Sequence, residues 1–179
     1  MSIYPRLCLD SLDIDLGHIK NVMKSVLYLH GLESTQGGEK VNFLAAQGIV
    51  HAPAMQYRTK IWSVDLLIEL FEKCNPDLII GSSIGDYFAD ILGSYTGTEV
   101  LLFNPALHSR SVDYNFRYGK DKYRRTIILG KEDTVVLPEI TKEIVGDTAR
   151  IIDVMGMGHR TPIDSFIAIY TQHLKRETT

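Results

Sequence analysis

Cysteine is scarce in this chain. Only Cys8 and Cys74 occur in 179 residues, far apart and with neither metal-ligand nor redox spacing. Two reduced thiols in a cytoplasmic protein are therefore expected. No run approaches the roughly 18 apolar residues that a membrane-spanning helix needs. The opening MSIYPRLCLDSLDIDLGHIK carries acids throughout and no continuous apolar stretch, so a secretory signal is not expected. There is no internal repeat, low-complexity tract or Pro/Ser-rich linker. No strand is followed by G-x-G-x-x-G, and Gly38-Glu39-Lys40 lacks the rest of a phosphate-binding loop. No H-x-x-x-H or Cys/His cluster points to a metal. Neither a cofactor nor a metal is expected. With 19 Lys+Arg against 22 Asp+Glu the net charge is −3, which disfavours a broad face for nucleic acid.

What is present is an ordinary globular composition, 45% hydrophobic and 23% charged, which excludes a disordered or coiled-coil chain. The length predicts one domain. Short apolar runs alternate with helical patterns. Strands are expected at 25–29, 49–53, 77–81, 100–103, 126–129 and 150–154. Helices are expected at 39–47, 61–74, 84–95 and 138–145, with a last one opened by Thr161 as N-cap and Pro162 at its first position. Near-continuous apolar strands separated by helices imply a mostly parallel sheet covered on both faces, an α/β three-layer sandwich. Sites in such sheets lie beyond the carboxyl ends of the strands, which directs attention to the loops beginning at His30, Gly81, Asn104, Gly130 and Met155.

One of those loops contains Gly81-Ser82-Ser83-Ile84-Gly85. It matches G-x-S-x-G, a modest signal alone. Its position between an apolar strand and an amphipathic helix is where a nucleophile elbow must lie. Gly81 and Gly85 would relieve collisions with neighbouring backbone, and the sharp turn would lift the Ser83 hydroxyl above the sheet. A serine hydroxyl needs a base to take its proton. Among six histidines, His159 is best placed, in a glycine-containing loop between the last strand and the last helix. An acid must orient the imidazole. Asp133, after the penultimate strand, is the candidate, with Glu132 as its competitor. The order Ser83, Asp133, His159 is the one expected for a nucleophile-elbow fold. Two N–H donors for an oxyanion are expected at Ile84 and at Leu32 in the His30-Gly31-Leu32 loop. His30 and Gly31 would shape that loop.

The segments LYLHGLEST (Leu27–Thr35), IIGSSIGDYFA (Ile79–Ala89), FNPAL (Phe103–Leu107), LGKEDTVV (Leu129–Val136) and GMGHR (Gly156–Arg160) resemble the α/β-hydrolase superfamily. More narrowly, they resemble its small bacterial esterases of the YqiA/YcfP type. The similarity runs from about Lys24 to Leu174. It implies a single-domain hydrolase with little or no lid, acting on carboxylic esters or thioesters without a cofactor. It carries the nucleophile to Ser83, the acid to Asp133 and the base to His159. With little lid, small or flexible acyl groups are the expected substrates.

Two departures stand out. Asp86 occupies a place where relatives usually have glycine. It would be either a harmless first-turn acid or a negative charge that weakens oxyanion binding near Ser83. Residues 1–24 form an extension of uncertain role ahead of a hydrolase domain at 25–179. A rival reading is a non-catalytic binding or scaffold protein on the same fold, and Asp86 is the feature favouring it. The stretch YNFRYGKDKYRR (114–125) mixes basic and aromatic residues. It is expected to be a solvated loop, with nucleic-acid binding, a flap near the acyl site or a grip on an anionic substrate as the functional alternatives.

Overall fold

The computed structural model describes residues 24–108, 116–119 and 122–177. Six strands form one sheet: β1 (Ser25–Leu29), β2 (Ile49–His51), β3 (Leu78–Ser82), β4 (Glu99–Phe103), β5 (Arg125–Gly130) and β6 (Arg150–Val154). Their spatial order is β2-β1-β3-β4-β5-β6, and every neighbouring pair is parallel. Among the described residues four α-helices lie between strands, α1 (Glu39–Gln47), α2 (Val64–Cys74), α3 (Ile84–Thr96) and α4 (Pro138–Val145), and α5 (Ile163–Glu177) follows β6. The expected six strands are found, and the sheet is parallel throughout.

Two cores follow from the alternation of side chains along each strand. Val26 and Tyr28 of β1, Leu78 and Ile80 of β3, and Leu101 and Phe103 of β4 face one core, closed by Leu44 of α1 and Phe166 and Tyr170 of α5. Leu27, Leu29, Ile79, Val100 and Leu102 face the other, closed by Leu67 of α2 and Phe88 and Ile91 of α3. Each fully buried side chain of this size contributes about 1.5–3 kcal/mol. Strands buried on both faces are apolar at nearly every position, which is why they read as near-continuous runs, with Glu99 and Thr126 as buried polar exceptions near the strand starts.

The chain leaves β1 toward α1 on one face and leaves β3 toward α3 on the other. Between these adjacent strands the connections diverge at the carboxyl ends, the point where open α/β sheets place their sites. His30-Gly31-Leu32 and Ser83 flank it.

Several boundaries differ from expectation. β2 stops at His51, before Pro53. α2 begins after Ser63, whose hydroxyl accepts from the Leu66 N–H at 3.2 Å, so Ile61 and Trp62 precede the helix. That cap satisfies one of the free N–H groups of the first turn. Thr161 does not cap α5. Its hydroxyl is buried without a partner among the described residues, and the Pro162 carbonyl instead accepts from the Phe166 N–H.

The stretch 116–125 is not a solvated loop where it is described. Tyr118 and Tyr123 hydroxyls each donate to Asp90 of α3 at 2.8 Å, and the Arg125 guanidinium donates to the same carboxylate at 2.5 Å. The Phe116 N–H donates to the Tyr87 hydroxyl and the Gly119 N–H to the Ser94 hydroxyl, both at 2.8 Å. The segment is strapped along α3, with Tyr118, Tyr123 and Arg125 converging on one fully buried carboxylate, while Arg124 pairs with Glu99 and Arg117 and Lys122 stay exposed. Residues 1–23, including Cys8, and Tyr114 and Lys120 lie outside the described residues.

Candidate active site

Ser83 sits between β3 and α3 with φ 58° and ψ −116°. A non-glycine residue rarely adopts this conformation, which costs about 1–3 kcal/mol and persists only when its surroundings impose it. The surroundings are visible. The Ser83 N–H donates to the Phe103 carbonyl and the Ala106 N–H donates to the Ser83 carbonyl, both at 3.1 Å. A side chain at Gly85 would strike the Leu29 and His30 carbonyls. One at Gly81 would strike the Asp86 backbone and carboxyl. The two glycines let the elbow close against β1 and the first turn of α3.

The turn carries the Ser83 hydroxyl to the loop after β6. Ser83 Oγ lies 3.0 Å from His159 Nε2. The other ring nitrogen, Nδ1, lies 2.8 Å from Asp133 Oδ2. The other oxygen, Asp133 Oδ1, accepts from the Val135 and Val136 N–H groups at 2.8 and 2.9 Å. An acceptor carboxylate at Nδ1 places the ring proton there. Nε2 is left as an acceptor facing the serine hydroxyl. The structure thus brings together the three groups singled out from their loop positions. Glu132, the competing acid, does not reach the ring. Its Oε1 accepts from the Gly156 N–H at 3.1 Å, at the start of the His159 loop.

The β1 loop lies against the elbow. An ideal Cβ at Gly31 would come within 3.5 Å of both the Ser83 Cβ and the Ser82 carbonyl oxygen. Leu32 follows in the same loop, half-buried. Ile84 is the first residue of α3, where N–H groups have no partner within the helix. His30 is buried and turned away from the serine. Its Nδ1 bonds the Gly31 carbonyl at 2.7 Å, its Nε2 accepts from the Met55 N–H at 3.3 Å, and its carbonyl accepts from the Tyr57 hydroxyl at 2.6 Å. It fixes the loop.

Asp86 is not a solvated first-turn acid; its carboxyl lies under the elbow, beside the Phe103 and Ser83 backbone. It is completely buried, and its Oδ1 accepts from the Phe103 N–H at 3.0 Å. Burial pushes its carboxyl well above the usual carboxylate range, against the opposing pull of that hydrogen bond. Sequence reading missed Asn104, whose side chain contacts both the His159 loop and the start of the acid loop. The quoted FNPAL segment marked the place without giving the role.

Two clefts of about 520 and 460 Å³ lie at the amino ends of the strands, sharing Glu99, Tyr123 and Arg124. Neither is lined by Ser83, Asp133 or His159. Among the described residues no helix is long and apolar enough to cross a membrane, and no group of three or more His, Cys, Asp or Glu is placed to hold a metal ion.

Solved structures of α/β hydrolases share this fold. The α/β hydrolase enzyme MGS-MChE2, from the metagenome of sediments of the Mar Chica lagoon in Morocco, superposes with a TM-score of 0.66 at 15% identity, covering 86% of this chain and 91% of its own. Carboxylesterase CesB of Bacillus subtilis superposes with a TM-score of 0.61 at 11% identity, covering 83% and 81%. In sequence, the chain is 28% identical over 139 residues to a UPF0227 protein of Vibrio parahaemolyticus, an alignment spanning 62% of this chain and 76% of that protein. The model of UPF0227, an uncharacterised protein family, matches residues 25–122, more than half of the sequence, and the chain belongs to that family.

Proposed function

We propose that this protein is a serine hydrolase that cleaves carboxylic esters or thioesters of small or flexible acyl groups. The observation that carries the reading is the continuous relay from the Ser83 hydroxyl through His159 to the buried Asp133 carboxylate, at 3.0 and 2.8 Å. Ser83 Oγ attacks the substrate carbonyl carbon as His159 Nε2 takes its proton. The carbonyl oxygen becomes an oxyanion, met by the N–H groups of Ile84 and Leu32. The tetrahedral intermediate expels the alcohol or thiol, which takes the proton back from His159, and an acyl group remains on Ser83. Water then attacks the acyl carbonyl as His159 takes its proton. The acid leaves and the proton returns to Ser83. Asp133 keeps the imidazole in the productive tautomer and stabilises its cation. No cofactor enters these steps.

Ester chemistry is also named for CesB, which shares the fold. The domain assignment belongs to the same proposal: residues 25–179 act as the hydrolase unit and 1–24 as an extension. The rival scaffold reading rested on a charge at residue 86 close to the nucleophile; burial of that carboxyl, which favours its neutral form, supports the catalytic reading over it.

The test is a panel of p-nitrophenyl esters and acyl thioesters of increasing chain length, with Ser83→Ala as control. Turnover of short chains by wild type, abolished in the variant, is the expected result. Folded wild type no more active than the variant on every substrate would overturn the reading.

A further inference from the structure

Asn104 follows the last residue of β4, buried to 1% exposure, with φ 54°. Its side chain is fully engaged as a donor. One amide nitrogen, Nδ2, donates to the Gly158 carbonyl at 3.0 Å and to the His159 carbonyl at 2.8 Å. Its Oδ1 accepts from the Gly130 N–H at 2.7 Å. Gly130 opens the turn that presents Asp133, since the Asp133 N–H donates back to the Gly130 carbonyl at 3.0 Å. Phe103 just before Asn104 and Ala106 two residues after it hold Ser83, through the Phe103 carbonyl and the Ala106 N–H. The segment 103–106 therefore touches the elbow, the acid turn and the base loop.

We propose that Asn104 is a positioning residue for His159, setting the backbone from which the ring reaches Ser83. The proposal rests on the reading of Ser83 as nucleophile and His159 as base. The base loop needs such a brace. It contains Gly156, at φ 72°, and Gly158, both with backbone freedom that side chains would remove. The requirement selects asparagine. Two donors and one acceptor on a short side chain are found in no other residue. The left-handed conformation is tolerated by asparagine better than by most non-glycine residues. Aspartate fits the same space and conformation but would set a carboxylate against the Gly158 and His159 carbonyl oxygens.

Asn104→Asp and Asn104→Gly test the proposal, since both suit the backbone and both remove the donors. For an ester that wild type hydrolyses, kcat is expected to fall about 10²-fold while KM changes by less than about threefold. A merely stabilising side chain would leave kcat intact well below the melting temperature. A second readout needs no substrate: the His159 Nδ1 proton and ring nitrogen signals by NMR. Wild type is expected to show the bonded Nδ1 proton, and the variants to lose it to exchange. If Asn104→Asp fails to fold, Asn104→Gly gives both readouts. A folded variant with His159 signals superimposable on wild type and kcat within about twofold overturns the proposal. If wild type hydrolyses nothing, yet the His159 proton is lost in the variants, the hydrolase reading fails and the positioning role stands.

Discussion

The His159 ring meets Asp133 at 2.8 Å, with the carboxylate fully buried and the ring about a quarter open to solvent. The acid is sealed beneath the base and fixed by two backbone N–H groups, while the base stays accessible from the solvent side. Asp133→Asn would keep the shape but allow the amide to donate to Nδ1, forcing the ring proton to Nε2, where it can no longer accept from serine. On the proposed mechanism kcat falls about 10⁴-fold with KM little changed. Steady-state kinetics on a short ester checks this. A loss under about tenfold would mean that the pair does not set the tautomer.

Gly85 bears on a neighbouring feature. A methyl group there meets the Leu29 and His30 carbonyls, which are backbone and cannot rotate away. Gly85→Ala should lower unfolding free energy by about 1–3 kcal/mol. It should also displace the 30–32 loop and reduce kcat. Urea titration and kinetics measure the two effects. Wild-type stability in the variant would show that the elbow has room the structure does not provide.

Asp86 gives a dependence on pH. Its folded-state carboxyl is raised above the unfolded value, chiefly by burial. Such a group contributes stability fully present below the ordinary carboxylate range and lost as pH rises through its folded value. Asp86→Asn cannot ionise. Wild-type melting temperature should therefore fall relative to that of Asp86→Asn as pH is raised above the usual carboxylate range. Parallel curves for the two proteins would contradict this origin.

Asp90 anchors the 116–125 strap. Removing its carboxylate leaves the Arg125 guanidinium, about 10% exposed, without its buried counter-ion. Asp90→Ala should cost about 3–5 kcal/mol by urea unfolding. Tyr118→Phe deletes one hydrogen bond and should cost about 1 kcal/mol. Equal effects from the two would show that the ion pair is not the anchor.

The fold was legible because a doubly covered parallel strand is apolar along nearly all of its length. DLIIG and VLLF could hardly be anything else once helical patterns flanked them. Helix starts were harder. Ile61 and Val64 look alike in a periodic pattern, and only the Ser63 hydroxyl bond decides between them. Thr161 failed in the other direction, since a residue type suited to capping does not guarantee the bond. For the candidate site, chain order and strand ends told where to look, because nucleophile, acid and base must each come from a different loop over one edge. The reach between them could only come from coordinates. Asp86, Asp90 and Asn104 were opaque for a shared reason. Each acts through partners remote in sequence, and no local pattern records which backbone N–H or carbonyl will face a buried polar side chain.

The most direct test of the central claim is covalent labelling. Wild type treated with a fluorophosphonate and analysed by peptide mass spectrometry should carry one adduct, on Ser83, and the labelling rate should collapse in His159→Gln. Folded wild type that remains unmodified, or that is modified at a different residue, would contradict the account.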